Sequence, residues 1–113
     1  MKYTYPAIFE YDAVEKAYTV KIPDVPGCVT GGWSLYEALY MAEDALNLML
    51  WTMEYDGDVI PEPSDIETIP KPEHGFVQYV RADTESYTDV MRRENPSMEI
   101  DESRIKKGLA PAV

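Results

Sequence analysis

Cysteine and histidine are almost missing from this 113-residue chain, which has one of each. The single cysteine, Cys28, allows no intramolecular disulfide and no cysteine-based metal cluster. Long apolar runs are missing too: acidic residues at Glu10 and Asp12 interrupt the N-terminal segment, and no window reaches the roughly 18 apolar residues of a membrane span. These absences predict a cytoplasmic protein without a membrane segment.

Basic residues are scarce: 10 Lys and Arg face 21 Asp and Glu, a net charge of −11. The imbalance lies in residues 1–70, with 13 acidic and 3 basic residues, whereas residues 71–113 carry 8 and 7. Such a chain repels nucleic acid and anionic membranes and attracts a basic protein. With 45% hydrophobic and 27% charged residues, the composition is that of one globular domain.

Four segments are rich in β-branched and aromatic residues or alternate apolar with polar ones, which is typical of strands. They are residues 3–11, 17–22, 28–30 and 75–82. The polar segment 12–16 predicts a hairpin turn between the first two strands. Gly31 and Gly32 follow the third strand, and their freedom at positive φ favours a sharp turn there.

One long helix is predicted after that turn. Ser34 and Glu37 have the spacing of a capping box, and the helix is expected to end at 56–58. Apolar residues at three- and four-residue spacing then predict one core face about five turns long. They are Leu35, Ala38, Leu39, Ala42, Ala45, Leu46, Met49, Leu50 and Met53. Four prolines in residues 60–72 predict an extended connector to the last strand.

This element order predicts an α+β fold with two layers, a β-β-β-α-β unit. Three antiparallel strands would be followed by a crossover helix and a fourth strand beside the first and parallel to it. We expect residues 1–83 to form this domain and 84–113 a short extension. The extension would hold a helix over 83–95, a strand-like piece at 98–101 and a turn or two of helix before Leu109.

Two motifs carry a family resemblance. The first is Pro-Asp-x-Pro-Gly-Cys at 23–28, preceded by Tyr-Pro-Ala-Ile-Phe-Glu-Tyr at 5–11; the second is Ile-Pro-x-Pro-Ser at 60–64. Together with the start of the helix around Glu37, they resemble the N-terminal domain of HicB antitoxins. The resemblance covers residues 3–83 and rests on a specific pair of motifs rather than on one common short one.

The resemblance implies a partial ribonuclease-H-like fold without nuclease activity and without a cofactor. It also implies a partner: a small basic HicA toxin, an mRNA-cleaving enzyme with a double-stranded-RNA-binding-like fold and a catalytic histidine, neutralised by covering its active site. Family members usually add a C-terminal ribbon-helix-helix or helix-turn-helix domain. Residues 98–113 have room for one short helix, and Arg104, Lys106 and Lys107 are typical of a solvated helix end, which argues against direct operator binding.

Two other functions stay open at this point. The chain could be a solitary HicB-fold module that oligomerises or regulates without a toxin. It could also be a metal-dependent nuclease, if acidic residues after the first strand met Asp83 after the last. The acids considered are Glu10, Asp12, Glu37 and Glu43 with Asp83. No histidine or basic residue supports this set, so we predict no catalytic or metal site.

The residues predicted to bind a partner are mostly aromatic. Trp33 precedes the helix, and a second stripe on the helix consists of Tyr36, Tyr40, Asn47 and Trp51. Of these, Trp33, Tyr36, Tyr40 and Trp51 are predicted to bind the partner, and Asp12 adds an acidic group. Exposed aromatic residues favour interfaces, but the connector or the tail could equally cover this stripe. We also expect a homodimer or tetramer. His74 is predicted to be a surface loop residue and Cys28 a small buried hydrophobe.

Overall fold

In the computed structural model, which describes residues 1–110, the chain forms a four-stranded sheet and two α-helices. An α+β fold is therefore confirmed. The strands are β1 (Lys2–Asp12), β2 (Ala17–Lys21), β3 (Val29–Gly32) and β4 (Gly75–Asp83). The helices are α1 (Leu35–Asp56) and α2 (Thr84–Glu94), with 3₁₀ turns at Ile66–Thr68 and Glu102–Arg104. No α-helix within residues 1–110 is long and apolar enough to cross a membrane.

The sheet has the order β3-β2-β1-β4, and every neighbouring pair is antiparallel. The prediction that β4 runs parallel to β1 is therefore wrong. The cause is the connector between α1 and β4. It leaves α1 near Tyr5, where the carbonyl of Pro61 accepts the Tyr5 hydroxyl, and reaches the other end of β1, where the Tyr11 N–H donates to the carbonyl of His74. Because the connector returns the chain along the sheet, β4 must run back against β1.

The ends of α1 follow the predicted signals. The Ser34 hydroxyl accepts from the N–H of Glu37, as a capping box requires. The carboxylate of Glu37 reaches one residue further back than in the standard motif, to the N–H of Trp33 at 3.0 Å. Gly57 ends the helix at φ 77°, a left-handed conformation that glycine adopts without strain.

Five of the six buried residues of α1 form a row with four-residue spacing, which we call the buried row: Ala38, Ala42, Leu46, Leu50 and Glu54; the sixth is Trp51. Four residues advance a helix by 400°, so this row turns by about 40° at each step. The helix therefore crosses the sheet obliquely, from β3 near its start to β4 near Asn47, whose side chain accepts the Asp83 N–H. Leu35 and Leu39 were predicted to lie in the core. They are 39% and 36% exposed because they lie beside this row and not in it.

Gly32 allows β3 to approach the start of α1. A Cβ there would lie 2.5 Å from the backbone nitrogen of Ala38, closer than real contacts permit. Positive φ is not the reason for the two glycines, as the sequence had predicted, because neither Gly31 nor Gly32 adopts it. The short approach positions Trp33 directly between strand and helix.

The C-terminal extension packs onto the domain. The side chain of Trp51 on α1 lies in a second core cluster with Tyr87, Met91 and Ile105. Residues 108–110 then pair in parallel with Lys2 of β1. The helix predicted at 83–95 is confirmed as α2. Residues 98–101, predicted to be strand-like, form no strand within the described part of the chain.

Candidate protein-binding surface

An exposed cluster of large side chains lies on the N-terminal half of α1. Its most exposed members are Trp33 (72%), Tyr36 (83%) and Tyr40 (63%), and Leu35 and Leu39 lie next to them on the helix. We call these five residues the aromatic surface. Spacings of three and four place its α1 members on one side of the helix, where Tyr36 and Tyr40 face away from the buried row and Leu35 and Leu39 lie beside it. Three of the predicted partner-binding residues, Trp33, Tyr36 and Tyr40, therefore share one surface.

Trp33 is held by its backbone while its side chain points to solvent. Its N–H donates to the Glu37 carboxylate, and the preceding Gly32 is pressed against the first turn of α1. A side chain on a fixed backbone loses less conformational entropy on binding than one on a mobile loop. The capping geometry of α1 thus preorganises the most exposed tryptophan of the chain.

Asp12 lies at the same end of the sheet as the aromatic surface. The register pairs Asp12 with Ala17, and the adjacent Tyr18 pairs with Gly32, which precedes Trp33. The carboxylate of Asp12 accepts from the backbone N–H groups of Val14 and Glu15, so it shapes the hairpin turn. The structure thus gives Asp12 a role in the turn and leaves its predicted role in binding as a proposal.

Acidic groups surround the aromatic surface. Residues 22–70 contain no Lys or Arg, and within α1 the acids Glu37, Glu43 and Asp44 lie among or next to the aromatic residues. Asp44 accepts the Tyr87 hydroxyl at 2.9 Å; burial and this hydrogen bond raise the pKa of Tyr87. The surface therefore combines apolar contact area with negative charge, which suits a basic protein.

Trp51 does not belong to this surface, so its predicted place among the partner-binding residues is wrong. It is 2% exposed, and its indole N–H donates to the hydroxyl of Thr88 on α2 at 3.0 Å. Its ring stacks on that of Tyr55. The sequence left open whether the tail would cover the stripe, and α2 covers only its C-terminal end. Leu35 and Leu39 were missed as surface residues from sequence, because their three- and four-residue spacings place them with the core residues of α1.

Of the acids considered for a nuclease site, Glu43 and Asp83 line one pocket, but Glu10 does not join them. Antiparallel pairing puts Glu10 opposite Gly75 and Asp83 opposite Lys2, so the two acids are about 25 Å apart at roughly 3.3 Å per residue. Asp83 caps α2, where its carboxylate accepts from Ser86. Within residues 1–110, no group of three His, Cys, Asp or Glu side chains is arranged to hold a metal ion.

His74 and Cys28 have the surroundings that the sequence predicted. His74 is exposed in the loop before β4, 3.8 Å from a carboxylate oxygen of Glu73. Cys28 is 3% exposed, and burial raises the pKa of its thiol, which disfavours the reactive thiolate. Neither residue therefore has the environment of a nucleophile or a general base.

Several cations of the C-terminal extension are engaged within the chain. Arg92 forms a 2.5 Å ion pair with Glu102, and the guanidinium of Arg104 lies 4.8 Å from the centre of the Tyr55 ring. Arg104 also donates to the backbone carbonyl of Tyr55. These contacts bind the extension to α1 and α2.

Relatives of the chain are known. An uncharacterized 14.9 kDa protein of Haemophilus phage HP1 is 37% identical over 71 residues, covering 62% of this chain and 52% of the phage protein. Antitoxin HicB 2 of Photorhabdus laumondii is 43% identical over 60 residues, covering 53% of this chain and 42% of that protein. The chain thus spans about half the length of these curated relatives.

Solved structures share the fold. A chain of the toxin-antitoxin complex from Streptococcus pneumoniae is 25% identical with a TM-score of 0.71, covering 99% of this chain and 82% of that one. The N-terminal domain of the Burkholderia pseudomallei antitoxin HicB has a TM-score of 0.59 at 23% identity, covering 69% and 95%. A family model described as HicB_like antitoxin of bacterial toxin-antitoxin system matches residues 5–104, beyond the 3–83 of the sequence resemblance. The chain belongs to the HicB-like antitoxin family.

Proposed function

We propose that this protein binds and neutralises a small basic RNA-cleaving toxin of the HicA type in the cytoplasm, and that it has no enzymatic activity of its own. One observation carries the proposal: an exposed aromatic surface lies in a part of the chain without a single Lys or Arg. Family membership supports it, and the similar Streptococcus pneumoniae chain comes from a toxin-antitoxin complex.

Trp33, Tyr36, Tyr40 and Asp12 are the contact residues that we propose. Tryptophan and tyrosine supply much of the binding energy at protein interfaces, because they bury large areas with few rotatable bonds. Negative charge around them speeds encounter with a basic partner and disfavours acidic ones. Together these properties fit a surface that covers the positively charged groups a ribonuclease uses to hold RNA.

A separate nuclease activity is not part of the proposal. Hydrolysis by two metal ions needs several carboxylates around one metal site. Glu10 lies near one end of β1, and Asp83 of β4 lies beside the other end. The acids that surround the aromatic surface are distributed along the exposed side of a helix instead. Such a distribution provides a charged surface for another protein rather than a coordination sphere.

Co-expression tests the proposal. The small basic reading frame adjacent to the gene is expressed alone and together with this chain, and growth and co-purification are measured. Growth arrest by the basic protein alone, with rescue and a stable complex in the presence of this chain, is the expected result. Arrest without rescue, or a complex that fails to block RNA cleavage, would contradict the proposal. Absence of both arrest and complex, with this chain folded, would favour the solitary module.

A further inference from the structure

The free edge of β4 presents a row of backbone groups. The N–H and C=O of Lys2 pair with residues 108–110, which lie on the side of β1 away from β4. Lys2 and Asp83 are therefore opposite each other without exchanging backbone hydrogen bonds. In an antiparallel ladder, hydrogen-bonded and non-hydrogen-bonded residue pairs alternate, so every second residue of β4 before Asp83 also points its N–H and C=O away from β1. The residues of β4 whose N–H and C=O point to the free edge follow directly: Gly75, Val77, Tyr79, Arg81 and Asp83.

Three successive members of this row have no hydrogen-bond partner within residues 1–110. The Asp83 N–H at the end of the row is capped by Asn47, but no backbone bond reaches Val77, Tyr79 or Arg81 from another element in the described chain. The 3₁₀ turn at Ile66–Thr68 contacts β4 and forms its own backbone bonds internally. A strand edge with unpaired groups is a template for pairing with another strand.

β4 lacks several of the features that prevent an edge strand from pairing. Among those features are proline, lysine, bulges and a very short strand. β4 is nine residues long, pairs with β1 without a bulge and contains neither proline nor lysine. The strand at the opposite edge, β3, is a poorer template for pairing than β4, because it is only four residues long and two of them are glycine.

Two copies of β4 complement each other. When the strands pair antiparallel around a two-fold axis at Tyr79, Tyr79 faces Tyr79 of the second copy and Val77 faces Arg81. All three free N–H groups of each copy then donate across the axis. No two like charges are directly opposite, because Arg81 faces Val77 and Asp83 faces Gly75. Segment 75–83 has one positive and one negative residue, so it avoids the repulsion expected between two chains of net charge −11.

We propose that β4 pairs with β4 of a second copy, which joins two four-stranded sheets into one continuous sheet with both α1 helices on the same face. This edge suits a second copy better than a basic toxin, because Lys2 and Arg81 are exposed close to it. Trp33 of the aromatic surface directly follows β3, which is the opposite edge of the sheet. The inference gives the proposed homo-oligomer a specific interface and does not depend on toxin binding.

Sedimentation velocity of the full chain alone, over a range of micromolar concentrations, tests this interface. Val77→Pro removes an N–H that no other group in the described chain uses, so the β1–β4 ladder is retained while two bonds across the axis are lost. The matched control, Val77→Ala, trims the side chain and retains the N–H. We expect a dimer for the unmodified chain and for Val77→Ala and a monomer for Val77→Pro, with unchanged circular dichroism. A monomeric unmodified chain, or a Val77→Pro dimer of unchanged affinity, would overturn the proposal.

A charge pair at position 77 tests the register and does not introduce proline. Val77→Lys would place a positive charge opposite Arg81 of the second copy, whereas Val77→Glu would place a negative charge there. Cross-strand charge pairs occur twice in the symmetric dimer, so we expect the Glu variant to dimerise about tenfold more tightly than the Lys variant. Equal dissociation constants for the two variants would refute the register centred on Tyr79.

Discussion

The side chain of Asp24 holds both the backbone and the hydroxyl of Ser64, which lies 40 residues further along the chain. The Ser64 N–H donates to one carboxylate oxygen at 2.8 Å and the hydroxyl to the other at 2.5 Å. Asp24 belongs to the Pro-Asp-x-Pro-Gly-Cys motif and Ser64 ends the Ile-Pro-x-Pro-Ser motif. The two motifs that carry the family resemblance therefore contact each other, and this contact fixes the start of the connector against the loop after β2.

Disrupting this contact should destabilise the protein in a non-additive way. Ser64→Ala removes the hydroxyl bond and should lower the free energy of unfolding by about 1 kcal/mol, and Asp24→Ala removes both bonds and should cost about 2 kcal/mol. Because both changes remove the same interaction, the double variant should be hardly less stable than Asp24→Ala. Urea unfolding of the four proteins measures this. If the double variant loses as much free energy of unfolding as the two single variants together, the bond between the Ser64 hydroxyl and Asp24 contributes nothing.

Signals in the local sequence predicted the ends of α1 correctly, but they did not predict the direction of β4. The ends of α1 depend on Ser34, Glu37 and Gly57, all within a few residues of the turns they form, and these were identified correctly from sequence. The direction of β4 depends on the path of the connector, which is set by contacts with Asp24 and Tyr5 far away in sequence. No periodicity within the chain encodes such contacts, so the parallel arrangement was predicted from the commoner crossover instead.

Glu54 should be the carboxylate most important for stability. It is 3% exposed, and it accepts from the Tyr3 hydroxyl at 2.6 Å, from the Thr84 hydroxyl and from the Lys106 N–H at 2.9 Å. Glu54→Ala leaves these buried donors unsatisfied and should lower the free energy of unfolding by about 2 to 3 kcal/mol. Glu54→Gln retains two acceptor lone pairs and should cost less. Chemical denaturation checks both values.

Hydrogen exchange distinguishes a local from a global effect of Glu54→Ala. The carboxylate joins β1, α1, α2 and the tail, so faster exchange should begin at Lys106 and in the first turn of α2. Glu43→Ala, which removes an exposed carboxylate from the same helix, is the control and should leave exchange unchanged. Uniformly faster exchange in all elements would contradict a role for Glu54 in holding the tail.

Stability should fall at alkaline pH in a way that depends on Tyr5. Burial, together with the nearby Asp24 and Glu54 carboxylates, raises the pKa of Tyr5 from 10.0 to about 12. Between these values the unfolded chain releases the proton while the folded one retains it, so the free energy of unfolding decreases as pH rises from about 10 to about 12. Burial raises the pKa values of Tyr3 and Tyr87 as well, which adds to the effect in the same direction.

Tyr5→Phe tests this contribution. The variant loses the hydrogen bond to the Pro61 carbonyl, which should cost about 1 kcal/mol at pH 8. Above pH 10 the free energy of unfolding should fall less steeply for Tyr5→Phe than for the unmodified protein, because phenylalanine has no hydroxyl to titrate. Urea unfolding at several pH values gives the slopes, with the exposed Tyr36→Phe as control. Parallel curves for Tyr5→Phe and the unmodified protein would contradict the assignment.

The candidate surface could be predicted only in part, because exposure depends on what packs against a helix. Tyr40 and Trp51 have the same position in the aromatic stripe, eleven residues apart, yet one is 63% exposed and the other 2%. The difference arises from α2, which covers only the C-terminal half of α1. A pattern along α1 alone contains no information about where that cover ends.

Alanine substitutions on the aromatic surface should weaken toxin binding without unfolding the chain. Trp33→Ala and Tyr40→Ala each remove a large exposed side chain, and a central interface residue of this kind contributes more than about 1 kcal/mol. We therefore expect a loss of affinity of at least about fivefold for each variant in titration calorimetry. Val59→Ala, at a residue that is 89% exposed and far along the chain, is the control. Unchanged affinity of both aromatic variants would exclude this surface from the interface.

Association with the toxin should depend on salt and on the acids beside the aromatic surface. Opposite charges speed encounter, and salt screens them beyond about 8 Å at physiological ionic strength. Glu43→Lys places a positive charge next to the surface and should lower the association rate at low salt with little change in the dissociation rate. Glu67→Lys makes the same change in net charge at an exposed residue of the 3₁₀ turn, outside α1 and its aromatic surface, and should slow association less. Stopped-flow measurements at several salt concentrations separate the two variants. Equal slowing by both would mean that net charge, rather than this surface, attracts the partner.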